Sequence, residues 1–330
     1  MPALRAGLIG LGMMGRHHAR VLGSLEGVEL VATVDPMGDP HGVAAGLRVL
    51  SSVEEALESG LDYAVLAVPT AFHAQVGLQL AEAGVHVLVE KPLAPDVATA
   101  ELMAKAFSDR GLVGAVGHIE RYNPALQDAR RRLEAGELGE IFQVATRRQG
   151  PFPARISDVG VVKDLATHDI DLTAWVTQEA FVRVAAGTAF RSGREHEDLV
   201  SVVGQLSSGI ITSHLVNWLS PMKERVTIIT GERGAFVADT LTADLTFYAN
   251  GSVATEWDDV ARFRGVSEGD VVRYAMAKPE PLRKEHEAFR DAVLGKKADI
   301  VTMEDGLRTV RVAEAVLESA TTGRSIDLPG

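Results

Sequence analysis

The sequence predicts a two-domain protein: an α/β domain with a doubly wound parallel sheet, followed by an α+β domain with a mostly antiparallel sheet. The 330 residues exceed what one hydrophobic core usually serves. The first 120 residues alternate short apolar runs with helical patterns, which is typical of βαβ units. After Arg121 the strands become longer and alternate apolar with polar residues, which is typical of an antiparallel sheet. We therefore expect domains at residues 1–120 and 121–330.

The individual elements are predicted from the same patterns. Strands of the first domain are expected at Leu4–Ile9, Glu29–Val34, Tyr63–Val68, Val85–Val89 and Leu112–Val116. Its helices are expected up to about Leu25, at Ala71–Ala83 and at Pro95–Asp109. Strands of the second domain are expected at Ile141–Arg148, Val182–Phe190, Leu199–Leu206, Ile210–Asn217 and Arg225–Thr230. Two helices close the chain, one with Leu282, His286, Phe289 and Val293 on its apolar face and one at Gly306–Ser319.

Composition excludes several classes of function. The chain has no cysteine, so it has no disulfide framework and no thiolate metal site or nucleophile. A formal net charge of −12 argues against nucleic acid as a partner. No apolar run approaches the ~18 residues that a membrane span needs. We expect a cytoplasmic protein that binds a small molecule and no metal ion.

A glycine-rich turn follows the first predicted strand. In the run from Gly10 to Gly15, the first glycine makes the turn, the second lets the backbone approach a pyrophosphate, and the third allows helix and strand to pack closely. The N-terminus of the following helix offers unpaired N–H groups to phosphate. The cofactor-binding residues expected here are Gly10, Gly12, Met13, Met14 and Gly15.

Asp35 ends the second predicted strand, 20 residues after Gly15. A carboxylate at this position accepts hydrogen bonds from ribose hydroxyls and repels a 2′-phosphate. The sequence therefore favours NAD over NADP. The alternative is that Asp35 is a turn residue before Pro36.

Two histidine positions need separate interpretation. His17 and His18 are adjacent, and adjacent helical residues do not share a face, so a metal pair is disfavoured and His18 is expected to be packed.

The end of the third main strand and the start of the next helix carry Val68, Pro69, Thr70 and His73. They either contact the cofactor or mark the start of a helix.

Glu90-Lys91-Pro92 closes the apolar run that ends at Val89. Ligands of open α/β sheets bind beyond the carboxyl ends of the strands, so an acid and an amine here suit chemistry on a polar substrate. We expect Glu90 and Lys91 to contact the cofactor and Lys91 to contact the substrate as well. The alternative is a solvated strand exit.

Asp164 and His168 are four residues apart and so lie on one helical face. Alcohol oxidation requires a base within reach of the hydroxyl, which His168 provides with Asp164 to orient it. Lys91 would stabilise the developing alkoxide, and the proton roles of Lys91 and His168 are interchangeable. The alternatives are that Asp164 is a helix N-cap and that His168 is a half-buried structural histidine, with Asp169 and Asp171 as acids favoured near a helix start.

Together these residues resemble the Gfo/Idh/MocA family of sugar and cyclitol oxidoreductases. The resemblance covers essentially the whole chain and rests on Gly10–Gly15, Pro69 to His73, Glu90-Lys91-Pro92, Gly117-His118, Asp164 with His168, Glu304-Asp305-Gly306 and Ser319-Ala320. It implies a Rossmann domain followed by an open-faced sheet domain, with assembly into a homodimer or homotetramer. It also implies that Lys91, Asp164 and His168 surround the reacting carbon, and that the Lys91–Pro92 bond is cis.

Two stretches, at residues 117–125 and 147–160, are similar to UDP-N-acetylglucosamine 3-dehydrogenases within this family. Arg147 and Arg148 alternate across a strand, so only one faces a given side, and Arg155 follows a rigid Gly-Pro-Phe-Pro segment. Because arginine suits bidentate phosphate recognition, we expect Arg147 and Arg155 to hold a nucleotide pyrophosphate. Solvated surface arginines are the alternative. Arg121 and Asn123 either contact the sugar or cap the helix that follows them.

The function expected from the sequence is NAD-dependent oxidation of a secondary hydroxyl of a sugar or nucleotide sugar. The resemblance points to the 3-hydroxyl of UDP-N-acetylglucosamine or a relative. One alternative is an inositol or free-sugar dehydrogenase of the same family. Another is a regulator that senses NAD without catalysis, although such a protein has no need of Lys91, Asp164 and His168.

Overall fold

The computed structural model describes residues 2–39, 41–44, 46–153, 159–251 and 269–329. The chain divides into two compact units. The first consists of Met1–Ile119 with Pro279–Glu314, and the second of Glu120–Lys278 with Ala315–Gly330.

The first unit contains a six-stranded parallel sheet in the order β3-β2-β1-β4-β5-β6. Its strands are β1 (Leu4–Ile9), β2 (Val28–Val34), β3 (Val49–Leu50), β4 (Tyr63–Leu66), β5 (His86–Glu90) and β6 (Gly114–Gly117). Between them lie α1 (Met13–Leu22), α2 (Val53–Leu57), α3 (His73–Glu82) and α4 (Val97–Asp109). Apolar residues fill both faces of the central strands: Leu8 and Val65 are buried in register on one face, and Leu66 and Val89 are buried in register on the other. The predicted doubly wound sheet is confirmed, and its strand order reverses between β1 and β4, where such sheets bind dinucleotides.

The second unit contains a sheet of nine described strands in the order β14-β13-β12-β11-β7-β10-β9-β8-β15. They are β7 (Ile141–Pro151), β8 (Phe181–Ala189), β9 (Leu199–Leu206), β10 (Ile211–Asn217), β11 (Leu219–Gly231), β12 (Gly234–Asp239), β13 (Asp244–Ala249), β14 (Val271–Arg273) and β15 (Ile326–Asp327). Among these strands only β7 and β10 pair in parallel, so the predicted mostly antiparallel sheet is confirmed.

One face of this second sheet is covered and the other is open. The helices α5 (Pro124–Glu134) and α6 (Thr167–Thr177) belong to this unit, and a π-helical segment at Val162–Ala166 leads into α6. On β7, Val144, Thr146 and Arg148 are buried while Arg147 is exposed. Apolar side chains also remain exposed on neighbouring strands, including Val203, Ile211 and Leu215.

Two helices close the chain, α7 (Pro281–Val293) and α8 (Met303–Thr322). In the first unit α7 packs on the parallel sheet, where the rings of Phe289 and Tyr63 meet edge to face at 5.4 Å. Arg290 donates to the Glu26 carbonyl over 2.9 Å and so ties the same helix to the end of the first βα unit. The assignment of residues 279–314 therefore differs from the sequence expectation. The expectation grouped them with residues 121–278, whereas in the structure they belong to the first unit. The apolar face of α7 was predicted, but periodicity does not identify the surface against which a face packs.

In the parts of the chain that the structure describes, no helix combines the length and apolar character needed to cross a bilayer.

Candidate active site

The glycine turn after β1 has the geometry that a dinucleotide phosphate needs. Gly10 has a φ of +98°, and a Cβ there would lie 2.6 Å from the Ala67 carbonyl carbon. A Cβ on Gly15 would lie 2.1 Å from the Gly10 oxygen, so helix and turn touch through backbone alone. A Cβ on Gly12, in contrast, would meet no atom within 4 Å. Two of the glycines are therefore required for packing, and the open space over Gly12 lets a ligand reach the backbone.

The N-terminus of α1 opens from this turn. Gly12 precedes the helix without a side-chain cap, and the first turn holds no acidic residue. Met13 and Met14 stand in this turn, and the Met13 side chain is exposed. A helix terminus with N–H groups and no local anion attracts phosphate, so these residues fit the pyrophosphate of NAD.

Asp35 lies directly beside the glycine turn. One carboxylate oxygen accepts from the Leu11 N–H over 2.8 Å, and the other accepts from the Met37 N–H over 2.8 Å. The bond from Met37, two residues further on, makes Asp35 the turn residue that the alternative interpretation described. Asp35 also stands at the position where Rossmann domains carry a ribose-binding acid. Each oxygen keeps a lone pair for a further donor. Its contact with ribose stays a prediction.

His73 connects the loop after β4 to the turn after β5. One ring nitrogen lies 3.0 Å from the Val68 carbonyl oxygen, and the other lies 3.0 Å from that of Pro92. Burial lowers the pKa of His73, although the carbonyl oxygens act in the opposite direction. Pro69 immediately precedes a short helical turn that begins at Thr70. These residues therefore mark the start of a helix, which was one of the two interpretations of this loop. A cofactor contact from Val68, Pro69 or Thr70 stays a prediction.

The Glu90-Lys91-Pro92 segment lies at the carboxyl end of β5, and the Lys91–Pro92 bond is cis, as the resemblance implied. Glu90 is buried, and its carboxylate accepts from the Lys91 N–H over 3.2 Å and from His18 over 2.8 Å. His18 is packed, as predicted. Among the described residues no group of three or more His, Asp or Glu side chains forms a metal site.

Asp164 and His168 belong to the second unit, where they occupy the helical entry to α6. Asp164 lies within the π-helical segment Val162–Ala166, and His168 is the second residue of α6. The N-cap alternative for Asp164 is wrong, because Val161 precedes the segment and Glu197 accepts from the Val162 N–H at its start. Short π-helical segments occur frequently at functional sites. Asp164 is buried and His168 half-buried.

The acids that follow His168 are paired with arginines, which the sequence analysis missed. Arg148 donates to Asp169 and to Glu120, each over 2.8 Å, and all three side chains are buried. Burial raises the pKa of Asp169 despite the neighbouring guanidinium. Asp171 accepts two hydrogen bonds from Arg121, over 2.9 and 2.6 Å. The Arg148–Asp169 pair fixes the helix that carries His168 to β7, and the Arg121–Asp171 pair fixes it to the segment that precedes α5.

Arg121 and Asn123 therefore have structural partners in the second unit. Asn123 is the N-cap of α5: its side chain accepts from the Ala125 N–H over 3.0 Å and donates to the Thr240 carbonyl over 3.0 Å. The capping alternative is the one observed for Asn123. Sugar contacts from either residue stay predictions.

The arginines of β7 divide between the two faces of the sheet. Arg148 lies on the helix-covered face, in register with Arg225 of β11, whose pKa is lowered by burial and by Arg148 and raised in part by Asp164. Arg147 points to the open face and pairs with Glu224 over 2.6 Å. The strand alternation thus separates the two arginines, and substrate binding by Arg147 stays a prediction. Arg155 lies outside the described residues.

Comparison with known proteins establishes the family. Residues 4–118 match the oxidoreductase family of Gfo/Idh/MocA type with an NAD-binding Rossmann fold, and residues 130–328 match the C-terminal alpha/beta domain of the same family. The chain belongs to the Gfo/Idh/MocA family. The predictions of an oxidoreductase and of NAD as its cofactor are confirmed.

Individual relatives differ in the substrates that their names state. The chain is 31% identical to UDP-N-acetylglucosamine 3-dehydrogenase of Acidithiobacillus ferrooxidans over 96% of both chains. A solved structure of that enzyme has a TM-score of 0.83 and 26% identity, covering 98% of this chain and 99% of that one. The chain is also 31% identical to NAD-dependent scyllo-inositol 2-dehydrogenase of Bacillus subtilis, over 52% of this chain and 54% of the relative. GenD2 from gentamicin A biosynthesis, solved with NAD, has a TM-score of 0.82 and 26% identity, covering 100% of this chain and 97% of that one.

Proposed function

We propose that this protein oxidises the 3-hydroxyl of UDP-N-acetylglucosamine or of a closely related nucleotide sugar, with NAD as the hydride acceptor. The similarity to UDP-N-acetylglucosamine 3-dehydrogenase, which extends over nearly the whole of both chains, carries the proposal. The glycine turn supports the cofactor part of it, because the open backbone at Gly12 and the uncapped start of α1 suit a pyrophosphate.

Three residues are assigned to the reacting hydroxyl. NAD, when bound, would supply the hydride acceptor for the oxidised carbon, and a base of the protein must then take the hydroxyl proton. His168 takes this role, with Asp164 orienting it, while the Lys91 ammonium stabilises the developing alkoxide; an exchange of the proton roles of Lys91 and His168 satisfies the same chemistry. The burial of Asp164 supports an orienting role, because a carboxylate removed from water interacts more strongly with a neighbouring cation.

The nucleotide part of the substrate requires a phosphate-binding group. The proposal assigns this role to Arg147 and Arg155, because a guanidinium can bind two phosphate oxygens at once. Arg147 pairs with Glu224, so a phosphate would bind there in place of that carboxylate.

Inositol oxidation is the second candidate, because the scyllo-inositol 2-dehydrogenase of Bacillus subtilis is equally identical over about half of the chain. Both candidates use the same acid–base chemistry. They differ in the nucleotide, which only the first substrate carries.

The test is a substrate panel with purified protein and NAD. UDP-N-acetylglucosamine, related UDP-sugars, free N-acetylglucosamine and scyllo- and myo-inositol are supplied in turn, and NADH formation is followed by absorbance. Because the equilibrium can favour the alcohol, an aminotransferase that consumes the 3-keto sugar is included in parallel reactions, and mass spectrometry locates the ketone. Turnover of inositols, with no effect of added UDP, would replace the proposal by its second candidate.

The proposal includes assembly of the protein into a homodimer or homotetramer in the cytoplasm. The exposed apolar residues on the open face of the second sheet support assembly through that face. The cytoplasmic location stays a prediction.

A further inference from the structure

A buried polar cluster in the first unit lies next to the turn that carries Lys91. It consists of Glu90 at the end of β5, His18 on α1, and Glu285 and His286 on α7, and at most 9% of any of these residues is exposed. His18 connects the members: one ring nitrogen lies 2.8 Å from a Glu90 carboxylate oxygen, and the other lies 2.8 Å from a ring nitrogen of His286. Four buried ionisable side chains on three elements are costly to pack, which calls for an explanation.

The direction of these hydrogen bonds follows from the chemistry of the groups. An ionised carboxylate only accepts, so the proton between Glu90 and His18 belongs to the His18 nitrogen. Burial and the neighbouring His18 hold the pKa of His286 well below its usual value, so His286 is neutral and shares one proton with His18 across their contact. The remaining oxygen of Glu90 accepts from the Lys91 backbone N–H.

Glu90 is ionised even though its site is buried. Burial acts to raise the pKa of Glu90, but the hydrogen bond from His18 and the positive charge of Lys91 outweigh it, so the pKa lies below its usual value. The reverse holds for Glu285, where burial and the charge of Glu90 raise the pKa well above normal. Glu285 therefore keeps its proton to a higher pH than an ordinary carboxyl group, which favours Glu90 as the anion of the cluster.

We infer that His18 and His286 are positioning residues that keep Glu90 ionised beside Lys91 and so hold the end of β5 in place for the reaction. The inference rests on the proposed role of Lys91. A packing role alone would leave no reason for two imidazoles in series, since an apolar side chain of similar size would fill the same space at lower cost.

The groups that face Glu90 determine what a variant would do. They are His18 from α1, His73 from α3, Glu285 and His286 from α7 and, on its own segment, Lys91. From β6, the backbone of Gly117 lies beside the carboxylate. Without His18, the effect of burial would no longer be balanced by a hydrogen-bond donor on this oxygen, and Glu90 would take up a proton at a higher pH.

The decisive experiment compares His18→Phe with His18→Gln. The glutamine amide nitrogen can occupy the position of the distal imidazole nitrogen and donate to Glu90, whereas phenylalanine fills the space without a donor. In His18→Phe we expect the pKa of the Glu90 carboxyl group, followed by NMR of ¹³C-labelled glutamate, to rise by at least about one unit, because its buried carboxylate has then lost the hydrogen bond from His18. In His18→Gln this pKa should stay near its wild-type value.

The Glu90→Gln variant, alone and combined with His18→Phe, completes a double-mutant cycle. It removes the titrating group, so the signal that it loses identifies Glu90, and adding His18→Phe to it should lower turnover no further. An unchanged pKa of Glu90 in His18→Phe, with turnover lowered equally in His18→Phe and His18→Gln, would reduce the cluster to packing and overturn the inference.

A measurement that does not depend on turnover separates this inference from the proposed function. In protein with ¹⁵N-labelled histidine, the His286 ring signals, assigned by loss in His286→Gln, should show a neutral ring that does not titrate between about pH 5 and about pH 8. His18 should carry its proton on the nitrogen that faces Glu90. An ordinary titration of His286 would overturn the inference whatever the substrate is, and the same measurement decides the matter if His18→Phe does not fold. Turnover absent with every sugar and inositol, alongside the expected histidine signals, would instead count against the proposed function.

Discussion

Asp35 shows how one side chain serves both the turn and the proposed cofactor contact. Its two carboxylate oxygens each accept one backbone N–H, from Leu11 and from Met37, so the acid is held rigidly beside the glycine turn. A fixed carboxylate discriminates against a 2′-phosphate by charge, because the like charges cannot separate without breaking these bonds.

Asp35→Ala should therefore relax the preference for NAD over NADP by at least about tenfold, equivalent to about 1.4 kcal/mol. The ratio of kcat/KM values for the two cofactors measures this change. Asp39→Ala is a matched control, because Asp39 also accepts two backbone N–H groups, from Val43 and Ala44, a few residues further along. Unchanged selectivity in Asp35→Ala would remove the ribose role from this residue.

The proposed function assigns to Lys91, in the first unit, the stabilisation of the developing alkoxide. Lys91→Ala should lower turnover by at least ~10²-fold, the usual contribution of a positioned proton-transfer group, while the dissociation constant for NAD changes little. Turnover and NAD binding, the latter followed by fluorescence, are measured on the same preparation. Lys105→Ala provides the control, because Lys105 is exposed and pairs with Asp109 on α4. Near-normal turnover in Lys91→Ala would exclude Lys91 from the reaction.

The sequence predicts the role of a residue when the atoms that the residue contacts lie close to it along the chain. The roles of Gly10 and Gly15 follow from backbone geometry within one βα turn, and they were predictable from spacing alone. The pairing of Arg148 with Asp169 joins residues 21 positions apart on two elements, and nothing in a single sequence reports such a contact. For the same reason the strand pattern showed that Arg147 and Arg148 face opposite sides but not which side α6 covers.

At the scale of elements, strand length decided what the sequence could predict. The two residues of β3 are too few for a periodic pattern, and their place at the edge of the parallel sheet is set by pairing with β2. β12 alternates buried Phe236 and Ala238 with half-buried Ala235 and Val237, but all four residues are apolar, so the sequence carries no alternation that marks the buried face.

The second sheet contains a histidine that should make the stability of the protein depend on pH. His214 of β10 is buried against Thr146 of β7, and burial lowers its pKa from 6.5 to about 4. Between these values the unfolded chain binds more protons than the folded chain, so the contribution to stability is present above pH 6.5 and is lost as the pH falls towards 4. The largest slope that one histidine contributes is about 1.4 kcal/mol per pH unit.

His214→Asn should flatten the pH dependence of the free energy of unfolding by up to this amount, since the asparagine side chain can meet Thr146 without titrating. Urea unfolding followed by tryptophan fluorescence measures it, because Trp175 and Trp218 are buried in the same unit. His17→Asn, on the exposed side of α1, is the control and should leave the slope unchanged. A slope in His214→Asn equal to that of the wild type would contradict the assignment.

At the scale of the whole molecule, the open face of the second sheet connects the fold to the proposed assembly. Leu215 is 36% exposed, and Ile211 on the same strand and Val203 on the neighbouring strand β9 are exposed on the same face. Covering these apolar groups against a second copy would remove them from water. A carboxylate placed among them would have to lose its water, at a cost that Arg147 on the adjacent strand would not offset, because Arg147 already pairs with Glu224.

Leu215→Glu should therefore weaken self-association by at least ~10²-fold and shift the protein towards the monomer, as measured by sedimentation velocity over a range of concentrations. Leu102→Glu is the matched control: Leu102 is 54% exposed on α4 of the first unit, so the same change of side chain there should leave the mass of the assembly unaltered. Circular dichroism of both variants verifies that the fold is retained. An assembly that keeps its wild-type mass in Leu215→Glu, or a wild type that sediments as a monomer, would show that the open face does not mediate association.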